Sequence, residues 1–162
     1  DEKDKTIIEI GKEGDRKNGF PSKYPTKLFL DNAGNIWIGT LDGLLKYAPV
    51  KNKVKKVFKI HETTNTLSSN KITAILETRS GKILVGSENR GLDVLDRNFI
   101  KTNNFNINSK KPFALESNSI STLFEDSYGN IYIGLWGGCG FQVMNSEMTS
   151  IKTFRLVEET RV

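Results

Sequence analysis

Two aspartates at corresponding points of the sequence are the first candidates for catalytic chemistry. Asp31 and Asp126 each begin an Asp-x-x-Gly segment, and a pair of carboxylates can act as general acid and general base. The corresponding position between them holds Thr78, so the two aspartates follow an internal repeat of the chain. A side chain that recurs in this way is expected to shape its own turn by accepting backbone N–H groups. We therefore expect both aspartates to be structural and predict no catalytic residue.

The thiol and imidazole groups of the chain are isolated. Cys139 is the single cysteine, so it cannot form an internal disulfide, and no CxxC or cysteine–histidine spacing indicates a metal site. His61 is the single histidine. The sequence therefore predicts neither a bound metal nor a cofactor.

The elements that must position any functional side chain repeat along the chain. The segment from Leu28 to Thr40 returns from Ile75 to Ser87 and again from Leu123 to Leu135, at intervals of 47 and 48 residues. A second motif, Leu67 to Asn70, returns as Leu115 to Asn118, so the repeat covers whole units. Units of about 40 to 50 residues with no apolar rhythm of 3.6 residues indicate propeller blades and not helical repeats.

Each unit is predicted to form four short strands, a to d. Alternating apolar residues mark strand a, and strand b follows a turn whose glycine requires a positive φ. A Gly-Leu or Gly-Phe pair begins strand c, and an aromatic-x-aliphatic triplet marks strand d. The predicted elements are Ile72 to Glu77 and Ile120 to Glu125 (a), Lys82 to Ser87 and Asn130 to Leu135 (b), strands beginning at Gly43, Gly91 and Gly140 (c), Phe58-Lys59-Ile60, Phe105-Asn106-Ile107 and Phe154-Arg155-Leu156 (d), and the turn glycines Gly34, Gly81 and Gly129.

The predicted fold is an all-β partial propeller of three four-stranded antiparallel blades, preceded by one extra outer strand at Ile8-Glu9-Ile10. That strand and its connection occupy residues 1–22. Blades 1, 2 and 3 occupy residues 23–69, 70–117 and 118–162. The first blade departs from the pattern because Pro25 takes the strand-a position held by Ile72 and Ile120 in the other copies.

Three blades are too few to close a ring, which typically has about four to eight. Trp37, Leu84 and Tyr132 share one position of strand b and are expected to pack between blades. We therefore expect the face of a terminal blade, near Trp37 or Tyr132, to be partly uncovered. The remaining blades of a longer protein could cover it, and so could self-association, for instance two copies in a six-bladed ring.

These units resemble the two-component regulator propeller repeat, in which Gly-x-Ile/Leu-Trp-Ile-Gly-Thr follows a strand and precedes a Gly-Leu pair. Residues 34–44 match almost throughout, residues 81–92 match with Leu84 at the tryptophan position, and residues 129–141 match with Tyr132 there. The resemblance implies paired propellers outside the inner membrane, joined through a membrane helix to a cytoplasmic histidine kinase. It also implies a periplasmic sensor that responds to carbohydrate breakdown products.

Composition excludes several other classes of protein. No apolar run approaches the roughly 20 residues of a membrane helix, so we expect no membrane contact by this segment. The formal charge of +5 is concentrated in a lysine cluster, which suits an outer strand that must avoid edge-to-edge pairing. No reader motif or aromatic-interleaved basic patch accompanies it, so we expect no nucleic acid partner. The cluster comprises Lys51, Lys53, Lys55, Lys56 and Lys59.

Function is expected where the repeats differ, in the loops that connect strand b to c and strand d to a. By analogy with other propellers these loops share one face. Trp136 is flanked there by glycines and could stack on a sugar, while Arg90, Asn89, Glu88 and His61 could supply directional hydrogen bonds. The leading hypothesis is a non-enzymatic sensor segment for an oligosaccharide. A protein-interaction scaffold and a propeller enzyme remain the alternatives.

Overall fold

A computed structural model describes residues 24–51, 53–58, 67–110, 112–138 and 140–155. Within these ranges the chain forms twelve β-strands and one short 3-10 helix, Pro49–Lys51. No helix in the described ranges is long and apolar enough to cross a membrane. The strands are β1 Pro25–Leu30, β2 Ile36–Thr40, β3 Gly43–Ala48, β4 Lys53–Phe58, β5 Ile72–Glu77, β6 Ile83–Ser87, β7 Leu92–Leu95, β8 Lys101–Phe105, β9 Ile120–Glu125, β10 Ile131–Leu135, β11 Phe141–Met144 and β12 Ile151–Phe154.

The strands form three separate four-stranded sheets, each with its strands paired in sequence order. β1–β4, β5–β8 and β9–β12 correspond to blades 1, 2 and 3, and every pairing is antiparallel. This arrangement confirms the all-β partial propeller. The extra outer strand expected at Ile8-Glu9-Ile10 lies outside the described residues.

The three blades share one register. Trp37 pairs with Phe29 on one side and Lys46 on the other, and Leu84 and Tyr132 hold the same positions in their sheets. Pro25 begins β1 opposite Thr40 and precedes the same local irregularity as the isoleucines of blades 2 and 3. Proline is tolerated here because it is the first residue of its strand. The departure in the first unit therefore leaves the blade pattern intact.

The turns between strands a and b follow the prediction. Gly34, Gly81 and Gly129 have φ values of 74°, 78° and 84°. Each donates its N–H to the carbonyl oxygen of the residue three positions earlier, at 3.0, 2.8 and 3.2 Å. Glycine adopts this left-handed conformation at little steric cost, which explains its recurrence at this point of every repeat.

The prediction for strand d was wrong in blade 2, where β8 ends at Phe105 and the strand was expected to begin there. The strands β4 and β12 likewise start before Phe58 and Phe154, but Lys59, Ile60 and Leu156 of the other two predicted triplets lie outside the described residues. Phe105 is buried against the neighbouring blade, but the residues that precede it in β8 are polar and mostly exposed. An outer strand of this kind lacks the apolar alternation that marks a half-buried strand. The aromatic-x-aliphatic pattern therefore predicts strand d several residues too late in the sequence.

Two apolar cores lie between successive blades. The first joins Trp37 and Leu44 of blade 1 to isoleucines, a valine and a leucine of blade 2. The second joins Leu84, Leu92 and Val94 of blade 2 to the apolar side of blade 3. Trp37 and Leu84 are completely buried, which confirms that this position of strand b packs between blades. Residues contributed by the following blade are Ile72, Ile75, Ile83, Val85 and Leu95 in the first core and Ile120, Ile131, Ile133, Leu135 and Met144 in the second.

One uncovered apolar surface among the described residues lies on blade 3. Tyr132 is 36% exposed and stands in a row of aromatic rings that crosses the sheet, with ring centroids 5.0 to 6.2 Å apart. Of the two positions at which we expected a partly uncovered face, Tyr132 is the exposed one, whereas the Trp37 side chain faces blade 2 and contacts Phe99. We refer to the row on blade 3 as the aromatic face; it consists of Phe124, Tyr132, Phe141 and Phe154.

Candidate ligand-binding loops

The turns between strands b and c carry most of the predicted site residues. In blade 2 the Ser87 hydroxyl donates to the Gly91 carbonyl at 3.1 Å and accepts from the Arg90 N–H at 3.0 Å. The Thr40 hydroxyl closes the turn of blade 1 in the same way, by donating to the Gly43 carbonyl at 2.8 Å. These side-chain bonds fix a compact turn whose outer residues point away from the sheet.

The corresponding turn of blade 3 has a different construction. Leu135 replaces the hydroxyl residue, and Gly137 and Gly138 have φ values of 88° and 74°. An added Cβ at either glycine would have no neighbour within 4 Å, so the turn stands clear of the blade. Trp136 precedes these glycines with 63% of its surface exposed. A large aromatic side chain is thus presented to solvent on a short turn.

Ser119 joins the turns of blades 2 and 3. Its carbonyl accepts the Trp136 N–H at 2.9 Å, and its hydroxyl donates to the Glu88 carbonyl. Both turns therefore lie at the same end of the sheets, opposite the Asp/Thr-x-x-Gly turns. We call Glu88, Asn89, Arg90 and Trp136 together the loop surface. The structure brings these four predicted residues to one end of two adjacent blades.

Two residues of the loop surface also hold the scaffold together. The Asn89 side-chain carbonyl accepts from the Ser69 hydroxyl at 3.0 Å, and the Glu88 carboxylate lies 3.1 Å from the Lys71 ammonium group. The ion pair is about half exposed, so it adds little to stability. The Arg90 side chain is exposed. His61 and Cys139 fall outside the described residues, and no group of histidine, cysteine and carboxylate side chains that could hold a metal occurs among the residues that were described.

The repeated aspartates are occupied by structural hydrogen bonds. Asp126 accepts the backbone N–H groups of Tyr128 and Asn130, each at 2.9 Å, and also the Asn130 side-chain amide. These bonds hold the pKa of Asp126 below its usual value, and the bond from the Asn130 side-chain amide has the largest effect. The two carboxylates stand at the same turn of separate blades. Their contacts agree with the prediction that they shape turns.

Sequence reasoning missed a buried charged cluster around Asp31. The carboxylate accepts the Asn35 N–H at 2.7 Å and the Trp37 indole N–H at 2.9 Å, and it lies 3.0 Å from the Lys46 ammonium group. Burial raises the pKa of Asp31, but the bonds from Asn35 and Lys46 outweigh this effect and lower the pKa to about 2. The Asp31 and Lys46 side chains are both nearly inaccessible to solvent.

Blade 2 completes this cluster from the other side of the interface. The Phe99 ring lies 3.9 Å from the Lys46 nitrogen and 5.2 Å from the Trp37 ring. A cation over an aromatic face is stabilised by the ring quadrupole, more strongly when water is excluded. The available signal was Lys46 itself, a single cation inside the otherwise apolar strand β3. We define Asp31, Asn35, Trp37, Lys46 and Phe99 as the polar cluster.

A comparison with protein families assigns the repeats. The family model described as the two component regulator propeller matches residues 19–42, 66–89 and 114–137. The three matched segments have the same relation to the three blades, because each contains strand a, the following turn and strand b. No match was found among curated proteins.

Solved structures share the fold at low sequence identity. The extracellular domain of a protein described as the hybrid two component system BT3049 from B. thetaiotaomicron superposes with a TM-score of 0.72 and 22% identity, over 90% of this chain and 20% of that one. The extracellular domain of the one component system BT4673 from B. thetaiotaomicron gives a TM-score of 0.73 and 18% identity, over 88% of this chain and 20% of that one.

A third similar structure is a surface component of a secretion apparatus. PorZ of the type-IX secretion system of Porphyromonas gingivalis gives a TM-score of 0.64 and 11% identity, over 90% of this chain and 23% of that one. The chain therefore spans about a fifth of the length of the solved proteins it resembles. The repeat matches and the blade register together show three two-component regulator propeller repeats in this chain, at residues 19–42, 66–89 and 114–137.

Proposed function

We propose that this chain is a non-enzymatic segment of a periplasmic propeller sensor, and that its loop surface contacts an oligosaccharide. The observation that carries the proposal is the position of Trp136. It stands exposed on a glycine turn and is tied through Ser119 to the turn that holds Glu88, Asn89 and Arg90. The periplasmic location is supported by the two B. thetaiotaomicron structures, both of which are extracellular domains.

The chemistry of the loop surface suits a sugar. An exposed indole ring can cover the apolar face of a pyranose, and nearby polar groups can orient its hydroxyls. Arg90 supplies donors only, Glu88 supplies acceptors only, and Asn89 supplies both. His61, which lies in the predicted d-to-a connection, remains a further candidate contact. Because the scaffold is set by repeated hydrogen bonds, a ligand would meet largely preformed turns.

A sensing role is favoured over catalysis by what the carboxylates already do. Asp31 is buried in an ion pair with Lys46, and Asp126 accepts three hydrogen bonds from its own turn. Neither is placed at the loop surface. No cofactor or metal is part of the proposal.

Isothermal titration of the full chain against a panel of soluble oligosaccharides tests the proposal. Trp136→Ala should weaken binding of any glycan hit at least tenfold, which corresponds to about 1.4 kcal/mol, while the melting temperature changes little. Tyr128→Ala is the matched control, since Tyr128 is 85% exposed but lies in the turn at the opposite end of strand b. That variant should bind as the unmodified chain does.

A silent panel would favour the alternative function, a propeller scaffold that docks a protein partner and binds no small molecule. Unchanged binding in the Trp136→Ala variant would place the sugar away from the loop surface. Unfolding of the Trp136→Ala protein would assign the indole ring to packing and remove it from the candidate site.

A further inference from the structure

The two interfaces between described blades share three contacts at equivalent positions. The first is a close approach of strand a to a glycine in strand b of the preceding blade. A Cβ added to Gly39 would lie 2.8 Å from Cγ2 of Ile72, and a Cβ added to Gly86 would lie 2.7 Å from Cγ2 of Ile120. Only a hydrogen atom fits at these points, so each interface pairs a glycine with a β-branched side chain.

The second contact is a carboxylate that caps the turn of the preceding blade. Glu77, at the end of β5, accepts the backbone N–H of Asn32 at 2.8 Å. Glu125, at the end of β9, accepts the backbone N–H of Arg79 at the same distance. A hydrogen bond to a charged acceptor is stronger than one between neutral groups. This contact therefore gives each interface a directional polar element.

The third contact joins the opposite end of the blades. The Gly43 N–H donates to the Asn70 carbonyl at 2.7 Å, and the Gly91 N–H donates to the Asn118 carbonyl at 2.8 Å. In both cases the acceptor lies two residues before the isoleucine of the first contact. The incoming blade thus supplies all three partners from one short segment with the pattern Asn-x-Ile-x-x-x-x-Glu.

Blade 3 carries the receiving half of all three contacts. Gly134 corresponds to Gly39 and Gly86. The Ser127 N–H corresponds to those of Asn32 and Arg79, and the Gly140 N–H corresponds to those of Gly43 and Gly91. Neither amide has an acceptor among the described residues. The aromatic face lies beside them. Three of its rings, Tyr132, Phe141 and Phe154, line a cavity of about 500 Å³ together with Lys152. The aromatic face occupies the same register positions as the buried interblade surfaces of blades 1 and 2.

We infer that this side of blade 3 binds a further propeller blade whose inner strand begins with Ile or Val, two residues after a backbone carbonyl that can accept a hydrogen bond, and has a glutamate or aspartate five residues after that β-branched residue. We call Ser127, Gly134, Gly140 and the aromatic face the docking edge. The partner is defined by its chemistry: a β-branched methyl group over Gly134, a carboxylate on the Ser127 N–H and a carbonyl on the Gly140 N–H.

A second copy of this chain does not offer that chemistry in its first blade. The corresponding positions there are Pro25 and Leu30. Leu30 cannot accept a hydrogen bond from Ser127, and the rigid Pro25 ring does not reproduce the β-branched methyl group that Ile72 and Ile120 place against a glycine. A ring of two copies joined head to tail would therefore lack two of the three contacts. The docking edge selects a different blade, and this selection is independent of any ligand.

An extended chain tests the inference. Residues 59–105 are copied directly after Phe154, so that the second copy of Ile72 follows Phe154 at the spacing at which Ile72 follows Phe58. The matched control carries Ile72→Pro and Glu77→Leu in the added copy alone, which imitates the first blade. Amide hydrogen exchange of Ser127 and Gly140, measured by NMR, reports on docking, and thermal unfolding gives a second readout.

The matching copy should slow exchange of both amides at least tenfold and raise the melting temperature above that of the control. Equal protection by the control copy would overturn the inference, and so would the absence of protection with either copy. Self-association of the unextended chain with protection of Ser127 and Gly140 would overturn it as well, because a second copy would then be the partner.

Discussion

The two interfaces between the described blades have the same backbone arrangement and different chemistry. Between blades 1 and 2, Asp31, Trp37 and Lys46 form a buried cluster of charged and aromatic groups. At the equivalent positions of the second interface stand Thr78, Leu84 and Val94. Among the described residues the Thr78 hydroxyl bonds to Ser80 and Lys82 of its own turn, and the interface is filled by aliphatic side chains.

This difference shows which interface contacts recur between successive blades and which side chains can vary. The glycine approach, the carboxylate cap and the glycine amide bond occur at both interfaces, so they set the spacing and direction of successive blades. The side chains between them need only fill the same volume. A buried ion pair and a layer of aliphatic side chains can therefore fill equivalent interfaces, but only the stability of the interface with the ion pair depends on ionisation.

Asp31→Ala should produce the largest loss of stability. The substitution leaves the buried Lys46 ammonium group and the Trp37 indole N–H without their acceptor, and breaking such a pair costs about 3–5 kcal/mol. Urea unfolding of the full chain measures the loss. Lys46→Met in the same protein should recover part of it, because the remaining charge is then replaced by an apolar side chain of similar length.

Asp126→Ala is the matched control for that substitution. It removes the aspartate at the same turn of blade 3, where the carboxylate bonds to Tyr128 and Asn130 of its own turn and no lysine is its partner among the described residues. We expect a clearly smaller loss than for Asp31→Ala, because no buried charge is left without its partner. Equal losses for the two aspartates would contradict the special role of the polar cluster.

Gly86→Ala should separate blades 2 and 3. The new Cβ would lie 2.7 Å from Cγ2 and 2.9 Å from Cβ of Ile120, and overpacking of this kind costs up to about 3 kcal/mol. Gly134→Ala, the same change in blade 3, should cost less. Its nearest atoms are side-chain atoms of Thr122 and Ser121 in its own blade, and Thr122 is exposed and free to turn away. Equilibrium unfolding that ranked the two variants in the opposite order would refute the interface geometry.

Acid should weaken the first interface selectively. Because the pKa of Asp31 is lowered from 3.8 to about 2, its carboxylate contributes stability that is complete above the unfolded value and is lost as the pH falls from about 4 through 2. The shift corresponds to about 2 kcal/mol. Unfolding measured at pH 5 and at pH 2 should show this loss in the unmodified chain, and Asp31→Asn should remove that part of the pH dependence. An unchanged pH dependence in the variant would rule out Asp31 as its source.

The repeat-level features could be read from the sequence because their causes are local. A turn that needs positive φ selects glycine, as at Gly34, and a strand buried on both faces selects apolar residues, as at Ile36 to Ile38. Strand d was misplaced because Lys101 to Asn104 carry no apolar alternation. The site residues on turns were found because Trp136 and Arg90 break the repeat.

Features that depend on contacts between blades could not be predicted. Lys46 is an isolated lysine in the sequence, and its partners Asp31 and Phe99 lie 15 and 53 residues away along the chain. The role of Glu77 was equally hidden, since its acceptor function involves the backbone of Asn32 in another blade. Composition and spacing within one repeat do not indicate which groups contact each other across an interface.

Amide hydrogen exchange of the unmodified chain at high concentration tests the central claim most directly, because it compares Gly43, Gly91 and Gly140 in a single sample. The N–H groups of Gly43 and Gly91 donate to carbonyls of the next blade and should exchange slowly. The Gly140 N–H, at the docking edge, should exchange at least tenfold faster than either. Equal protection at all three glycines would contradict the account, since it would mean that blade 3 already has a neighbour that fits its docking edge.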